Sequence, residues 1–112
     1  MTITMKGFIY LLQVIMDGRA VYKIGRTNDM TRRTIELARI YGDFTVLRLM
    51  PFCEEGNVED ILHRQFHAKR YKKRSYEELF DLDSHDIEVF DAITNALDSF
   101  EIRMGKRRWW RE

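Results

Sequence analysis

The sequence is poor in the residues that mark a disulfide scaffold, a disordered linker or a membrane segment. Its 112 residues include one cysteine, one proline and six glycines. Because Cys53 is alone, no internal disulfide can form, which favours a reducing compartment. We expect a cytoplasmic protein, or one of the host cytoplasm or nucleus if the source is a virus. The longest apolar run, Phe8 to Leu12, is far too short to span a membrane. We therefore expect one globular domain and no membrane partner.

Net charge is also scarce, but the charges fall in blocks. The formal net charge is +1 although 33% of the residues are charged. Arg64 to Arg74 holds six bases and no acid, whereas Glu77 to Asp91 holds seven acids and no Lys or Arg. Basic blocks suit a polyanion, with a solvated face as the plain alternative. We divide the chain into a domain of residues 1–102 and a basic tail of residues 103–112, in which Trp109-Trp110 either stack on bases or pack on protein.

Hydrophobic periodicity predicts an α+β fold in the order β-β-α-β-α, followed by an edge segment and a last helix. Residues 8–15 are nearly all apolar and too few for a typical helix, which is typical of a strand covered on both faces. Asp17-Gly18 predicts a hairpin turn, with residues 20–24 as the return strand. The third strand is expected at 44–50 and the short edge segment at 78–82. Hairpin-joined strands followed by a helix indicate an antiparallel sheet.

Helix boundaries follow from capping residues and apolar spacing. Asn28 or Asp29 can accept a backbone hydrogen bond at the start of the first helix, which then runs to about Tyr41. The same reasoning predicts Asn57 as the cap of the second helix. Asp83 or Ser84 is predicted to cap the third.

The hairpin brings a tyrosine and a lysine onto one face of the sheet. If Asp17-Gly18 form the turn, Tyr10 faces Gly25 and Leu12 faces Lys23. Tyr10 and Lys23 are then diagonal neighbours, about 7–8 Å apart between backbones. Because a nearby cation favours the phenolate, we expect Lys23 to lower the pKa of Tyr10.

These residues also carry a family resemblance. Gly7-Phe8-Ile9-Tyr10, then Tyr22-Lys23-Ile24-Gly25, then Arg26-Thr27 and Arg32-Arg33, resemble the motifs of the GIY-YIG nuclease superfamily. The match is to its minimal phage, viral and microbial branch, in which Lys-Ile-Gly forms the second motif. Val58 to Phe66 and Glu78-Leu79-Phe80 resemble the downstream signature of that branch. The resemblance covers about Gly7 to Leu82 and implies a three-stranded antiparallel sheet flanked by helices.

The resemblance also implies a function, namely divalent-metal-dependent cleavage of DNA by an endonuclease or nickase. Tyr10 would be the general base, helped by Lys23, and Arg33 would hold phosphoryl oxygens. Glu59 would bind Mg²⁺ or Mn²⁺. Gly25 would let the backbone approach the phosphate. Further predicted nucleic-acid contacts come from loops and from the second helix: Gly25, Arg26, Asn28, His63, Lys69, Arg70, Lys72, Lys73 and Arg74. The DNA partner can be duplex, branched or single-stranded, and the oligomeric state is open.

Departures from the family pattern keep other functions in view. Lys23 stands where the second motif usually begins with tyrosine, and Leu37 stands where a histidine or tyrosine is common. The late asparagine of the family has only a poor counterpart in Asn95. A catalytically weak or inactive nucleic-acid-binding module of the same fold is therefore the main alternative, and a regulatory interaction domain is the next. A zinc site built from Glu59, His63, His67 and Cys53 is a weaker alternative.

Overall fold

The computed structural model describes residues 7–71 and 79–105. Within these ranges the chain forms four strands, three α-helices and one short 3-10 helix, His67–Lys69. The elements are β1 (Gly7–Met16), β2 (Arg19–Thr27), α1 (Met30–Tyr41), β3 (Phe44–Phe52), α2 (Glu55–Gln65), β4 (Leu79–Phe80) and α3 (Ser84–Arg103). The predicted α+β class with an antiparallel sheet is confirmed, but the sheet has four strands and not three.

The sheet is built around the hairpin of β1 and β2. Its strand order is β3-β1-β2-β4, and every neighbouring pair is antiparallel. Asp17 and Gly18 both have positive φ, at 54° and 76°, as the turn of a two-residue hairpin requires. The register pairs Tyr10 with Gly25 and Leu12 with Lys23. The hairpin geometry predicted from the sequence is confirmed.

The fourth strand is the predicted edge segment. Leu79 pairs with Lys23, and Phe80 pairs with Tyr22. Both side chains of β4 are fully buried, since Leu79 packs with Val21 and Phe80 joins the main core. A strand of two residues is too short to show a clear alternation in the sequence. The burial of both side chains holds β4 against β2.

The two faces of the sheet are covered differently. On one face, Ile9, Leu11 and Ile24 pack against α2 and α3 in the largest core cluster. On the other face, Tyr10 and Leu12 pack against α1 through Leu37, the one buried residue of that helix. Because β-strand side chains alternate, neighbouring residues of β1 serve opposite faces. Tyr10 thus lies under α1, while α2 lies behind the strand.

Two of the three predicted helix caps are confirmed. The Asp29 side chain accepts a hydrogen bond from the Arg32 backbone N–H at 3.1 Å, and Asp83 forms a reciprocal capping box with Asp86. The prediction for α2 is wrong, because this helix begins before Asn57. The backbone N–H groups just before its first turn are bound by a side chain of a distant helix.

The carboxylate that replaces a local cap on α2 belongs to α3. Buried Glu101 accepts from the backbone N–H of Cys53 at 2.8 Å and of Glu54 at 3.0 Å. A carboxylate near a helix N-terminus also interacts favourably with the helix dipole. This contact joins residues 47 positions apart in sequence, ties α2 to α3 and fixes the orientation in which α2 meets the sheet.

In the described part of the chain, no helix combines the length and apolarity needed to cross a membrane.

Candidate active site

A polar cleft lies where β2 ends and α1 begins. It has a volume of about 410 Å³. Its walls come from the end of β2, the first turns of α1 and the first turns of α2, and they consist of Arg26, Thr27, Asn28, Arg32, Arg33, Glu36, Glu55 and Glu59. Three arginines and three glutamates therefore face one open space. Such a lining suits a charged, hydrated ligand and not an apolar one.

Arg33 lies on one wall of this cleft, and Tyr10 lies directly behind it. Tyr10 is fully buried on β1. Its hydroxyl oxygen accepts a hydrogen bond from Arg33 Nε at 3.1 Å, and Arg33 Nη1 donates to Glu36 Oε1 at 2.9 Å. The N–H groups of a guanidinium point along its plane, so two bonds from different nitrogens fix its orientation. The tyrosine thus holds Arg33 in a defined position at the cleft.

Gly25 makes room for the tyrosine ring. A Cβ atom built on Gly25 would lie 2.4 Å from the Tyr10 hydroxyl oxygen and 2.5 Å from its Cζ. These distances are far below van der Waals contact, so a side chain at position 25 and the observed ring position exclude each other. The structure therefore gives Gly25 a role that the sequence does not indicate, and its approach to a phosphate stays a prediction.

The expected shift of the Tyr10 pKa is wrong in direction. Burial raises the pKa of Tyr10 above the ordinary value for tyrosine, and the nearby carboxylates of Glu59 and Glu36 add to the rise. The cation that opposes this rise is Arg33, through its hydrogen bond and its charge, and not Lys23 as expected. Tyr10 therefore stays a neutral phenol at neutral pH.

Glu59 lies on α2 at the opposite wall. Its side chain is 18% exposed, and its Oε1 accepts a hydrogen bond from Arg26 Nε at 3.0 Å. Its Oε2 lies 3.9 Å from Nε2 of His63, one helical turn later. That histidine nitrogen is also 2.8 Å from the carbonyl oxygen of Ile24. A carbonyl can only accept, so we assign the proton of His63 to Nε2.

The carboxylates at the cleft suit a hard divalent cation. No group of three His, Cys, Asp or Glu among the described residues is arranged to hold a metal, which leaves the zinc alternative without support there. Mg²⁺ needs no such cage, because one or two carboxylates together with waters and substrate phosphates commonly hold it. Glu59 and Glu55 line the same cleft, one turn of α2 apart. These residues fit Mg²⁺ or Mn²⁺, provided that Glu59 exchanges its contact with Arg26 for the metal.

The structure brings together part of the predicted residue set. Arg26, Asn28, Arg33 and Glu59 line the cleft, and Tyr10 and Gly25 lie directly behind it. Four lining residues were missed as site residues: Thr27, Arg32, Glu36 and Glu55. For the last three, the signal is helical spacing, since Arg32 and Glu36 lie one turn apart on α1 and Glu55 lies one turn before Glu59.

Other predicted contacts lie elsewhere. His63 and Arg70 line a neighbouring groove. The ammonium group of Lys69 is 2.8 Å from Asp86 Oδ2 and 3.7 Å from Asp83 Oδ2, so it pairs with the start of α3. Lys72, Lys73 and Arg74 lie outside the described residues, as does Trp109-Trp110. Lys69, which the sequence suggests as a DNA contact, thus forms an ion pair with Asp86 in the structure.

Of three comparisons with known proteins, one finds a match, the comparison with protein-family models. Neither the curated proteins nor the solved structures include a match to this chain. The family model of the T5orf172 domain matches residues 7–98, which is most of the chain and includes every residue of the cleft. This domain falls in a nuclease-like superfamily. The chain therefore belongs to the T5orf172 domain family.

Proposed function

We propose that the protein is a divalent-metal-dependent endonuclease or nickase of the GIY-YIG type that hydrolyses phosphodiester bonds in DNA. The observation that carries this proposal is the cleft, in which an oriented arginine from α1 faces a carboxylate from α2. Membership of a family in a nuclease-like superfamily supports a nucleic-acid substrate.

Arg33 is the residue best placed to hold the scissile phosphate. Its guanidinium group has five N–H donors, and its bonds to Tyr10 and Glu36 use two nitrogens. The planar fork can pair with two phosphoryl oxygens at once and neutralise charge that develops in the transition state. Arg26 and Arg32, on the same cleft, add positive potential around the phosphate.

Tyr10 acts through Arg33 in this proposal and not as a general base. Its side chain is fully buried, and its pKa is raised by that burial. A phenol with a raised pKa is a poor base at neutral pH. Its hydroxyl instead fixes the position of Arg33, which makes Tyr10 a positioning residue.

Glu59 would hold the metal ion, with Glu55 close enough along α2 to assist. When bound, Mg²⁺ supplies a Lewis acid that neutralises phosphate charge and activates water. The contact between Glu59 and Arg26 is an ion pair that substrate can rearrange, because a phosphate gives Arg26 an alternative anion. That exchange would release the carboxylate for the metal.

One observation favours the second candidate, a DNA-binding module without cleavage. Leu37 is fully buried under the sheet and supplies no proton-transfer group at the position where the family often has a histidine or tyrosine. A site that lacks such a group, with Tyr10 held neutral, has fewer means of moving a proton.

Plasmid cleavage tests the proposed function. Supercoiled plasmid incubated with the protein and Mg²⁺ or Mn²⁺ should become nicked or linear, and a chelator should stop the reaction. Binding without any nicking would instead support the binding module. That binding should weaken as salt is added, because it depends on contacts with DNA phosphates. Absence of binding at low salt would overturn both.

Tyr10→Phe tests the positioning role of the tyrosine. The change deletes the oxygen that accepts from Arg33, and we expect cleavage to fall about ten- to a hundred-fold, the equivalent of one hydrogen bond to a charged group. The pH dependence of the rate should be unchanged between about pH 6 and 9, because the neutral phenol does not titrate there. Tyr71→Phe is the matched control, since the Tyr71 hydroxyl donates a hydrogen bond to Asp17 in the hairpin turn, at the end of the hairpin away from the cleft. Loss of a pH-dependent limb in Tyr10→Phe alone would restore the general-base role.

A further inference from the structure

A second groove adjoins the cleft on the far side of Glu59. It has a volume of about 310 Å³ and is lined by Asp60, His63, Arg64, His67, Arg70 and Phe80. Glu59, on the cleft, and His63, in the groove, are one turn apart on α2 and approach to 3.9 Å. The two spaces therefore meet at this pair of side chains, and α2 forms a wall of both.

The charges in the groove are arranged for an anion. Two arginines, Arg64 and Arg70, face one carboxylate, Asp60, before either histidine is counted. Among the described residues, neither arginine has a carboxylate within ion-pair distance, whereas Arg26 and Arg33 at the cleft are paired. Lys69, next to Arg70, is paired with Asp86. Arg64 and Arg70 are thus cations that the described fold does not neutralise.

The walls of the groove are fixed by the backbone and by packing. Phe80 is buried at the base of the groove, and its ring centre lies 5.2 Å from that of His63. Arg70 forms a backbone bridge with Phe80 of the edge strand, and its N–H donates to the His67 carbonyl oxygen at 3.3 Å. The backbone that carries Arg70 is therefore held in place before any ligand arrives, which lowers the entropy cost of binding.

We propose that this groove is a second DNA phosphate subsite, which holds the backbone beyond the bond to be cut. The inference rests on the proposed function and adds the course of the substrate along α2. The rise from Glu59 to Arg64 is roughly 7.5 Å at 1.5 Å per residue, within reach of the next phosphates of the same strand. Arg64 and Arg70 would pair with those phosphates.

Salt-dependent binding tests the subsite. The probe is a fluorescent DNA duplex without metal, titrated with the full chain at several salt concentrations. For the double variant Arg64→Gln/Arg70→Gln, we expect the slope of log K against log salt to fall in magnitude by about 1.8, the value for two phosphate contacts. Affinity at about 0.1 M salt should then fall roughly 60-fold relative to wild type, if both bind equally at 1 M.

Matched variants separate this effect from general charge loss. Arg39→Gln/Arg103→Gln removes the same charge from an exposed position of α1 and from the end of α3 and should leave the slope nearly unchanged. Arg64→Lys/Arg70→Lys keeps the charge and should retain the slope. Equal slopes for the two glutamine variants overturn the subsite while leaving the proposed function intact. Failure of the wild type to bind the duplex at low salt overturns both.

Discussion

Glu59→Gln is expected to abolish metal-dependent cleavage, lowering the rate at least about a thousand-fold. The amide keeps the shape of the side chain but removes the anionic oxygen, and a catalytic metal supplies several kcal/mol of transition-state stabilisation, with about 1.4 kcal/mol for each tenfold in rate. DNA binding should be retained or become tighter. The loss of the carboxylate removes a negative charge from the cleft and frees Arg26, which is now paired with it at 3.0 Å.

Single-turnover cleavage and duplex binding, measured on the same preparations, check this prediction. Glu88→Gln is the control, because this substitution makes the same chemical change at a side chain of α3 that is 81% exposed. It should cleave like the wild type. If Glu59→Gln cleaves at the same rate as Glu88→Gln, Glu59 is not the metal ligand and the proposed mechanism fails.

Gly25→Ala is expected to have the largest effect on stability. The added methyl group would lie 2.4 Å from the Tyr10 hydroxyl oxygen, and the ring has no free space because it is fully buried. We expect a loss of about 3 kcal/mol in the free energy of unfolding, at the upper end for overpacking, and a fall of roughly 13 °C in Tm. Cleavage should fall as well, since a displaced Tyr10 no longer holds Arg33.

Two further variants identify the cause of this effect. Gly56→Ala adds a methyl group in α2, where the nearest atom is Arg26 Nη1 at an ordinary 3.6 Å, so it should be neutral or stabilising by up to about 1 kcal/mol. In a Tyr10→Leu background, Gly25→Ala should cost much less than in the wild type, because the two residues are in contact. Equal costs in both backgrounds would show that the crowding does not come from the tyrosine.

The hairpin could be predicted in detail because its determinants are local. Asp17-Gly18 fixes the turn, the turn fixes the register, and the register places Tyr10 opposite Gly25. The caps Asp29 and Asp83 could be predicted for the same reason, since each bonds a backbone N–H three residues later.

The errors in the fold come from contacts that are distant in sequence. The predicted start of α2 is wrong because Glu101 on α3, and not a local side chain, binds the backbone N–H groups of Cys53 and Glu54 just before the helix. The strand β4 could be predicted only as an edge segment, since its two residues are held by burial against Val21 and the main core. Neither cause is visible in the spacing of nearby residues.

The site shows the same division between local and distant determinants. The face that Tyr10 shares with Lys23 follows from the register, but the effect of burial on its pKa depends on α1 and could not be read from the strand alone. The arginine that bonds Tyr10 lies 23 residues away. Glu36 and Glu55 were missed because the quoted family motifs do not include them, although helical spacing places them near Arg33 and Glu59.

The most direct test of the account is a crystal structure of the protein with a short DNA duplex and Mn²⁺. We predict anomalous density for Mn²⁺ at the Glu59 carboxylate, a backbone phosphate on the Arg33 guanidinium, and the Tyr10 hydroxyl still bonded to Arg33. Density for Mn²⁺ and the DNA backbone on another surface, with Arg26 still paired to Glu59, would contradict the assignment of this cleft as the catalytic site.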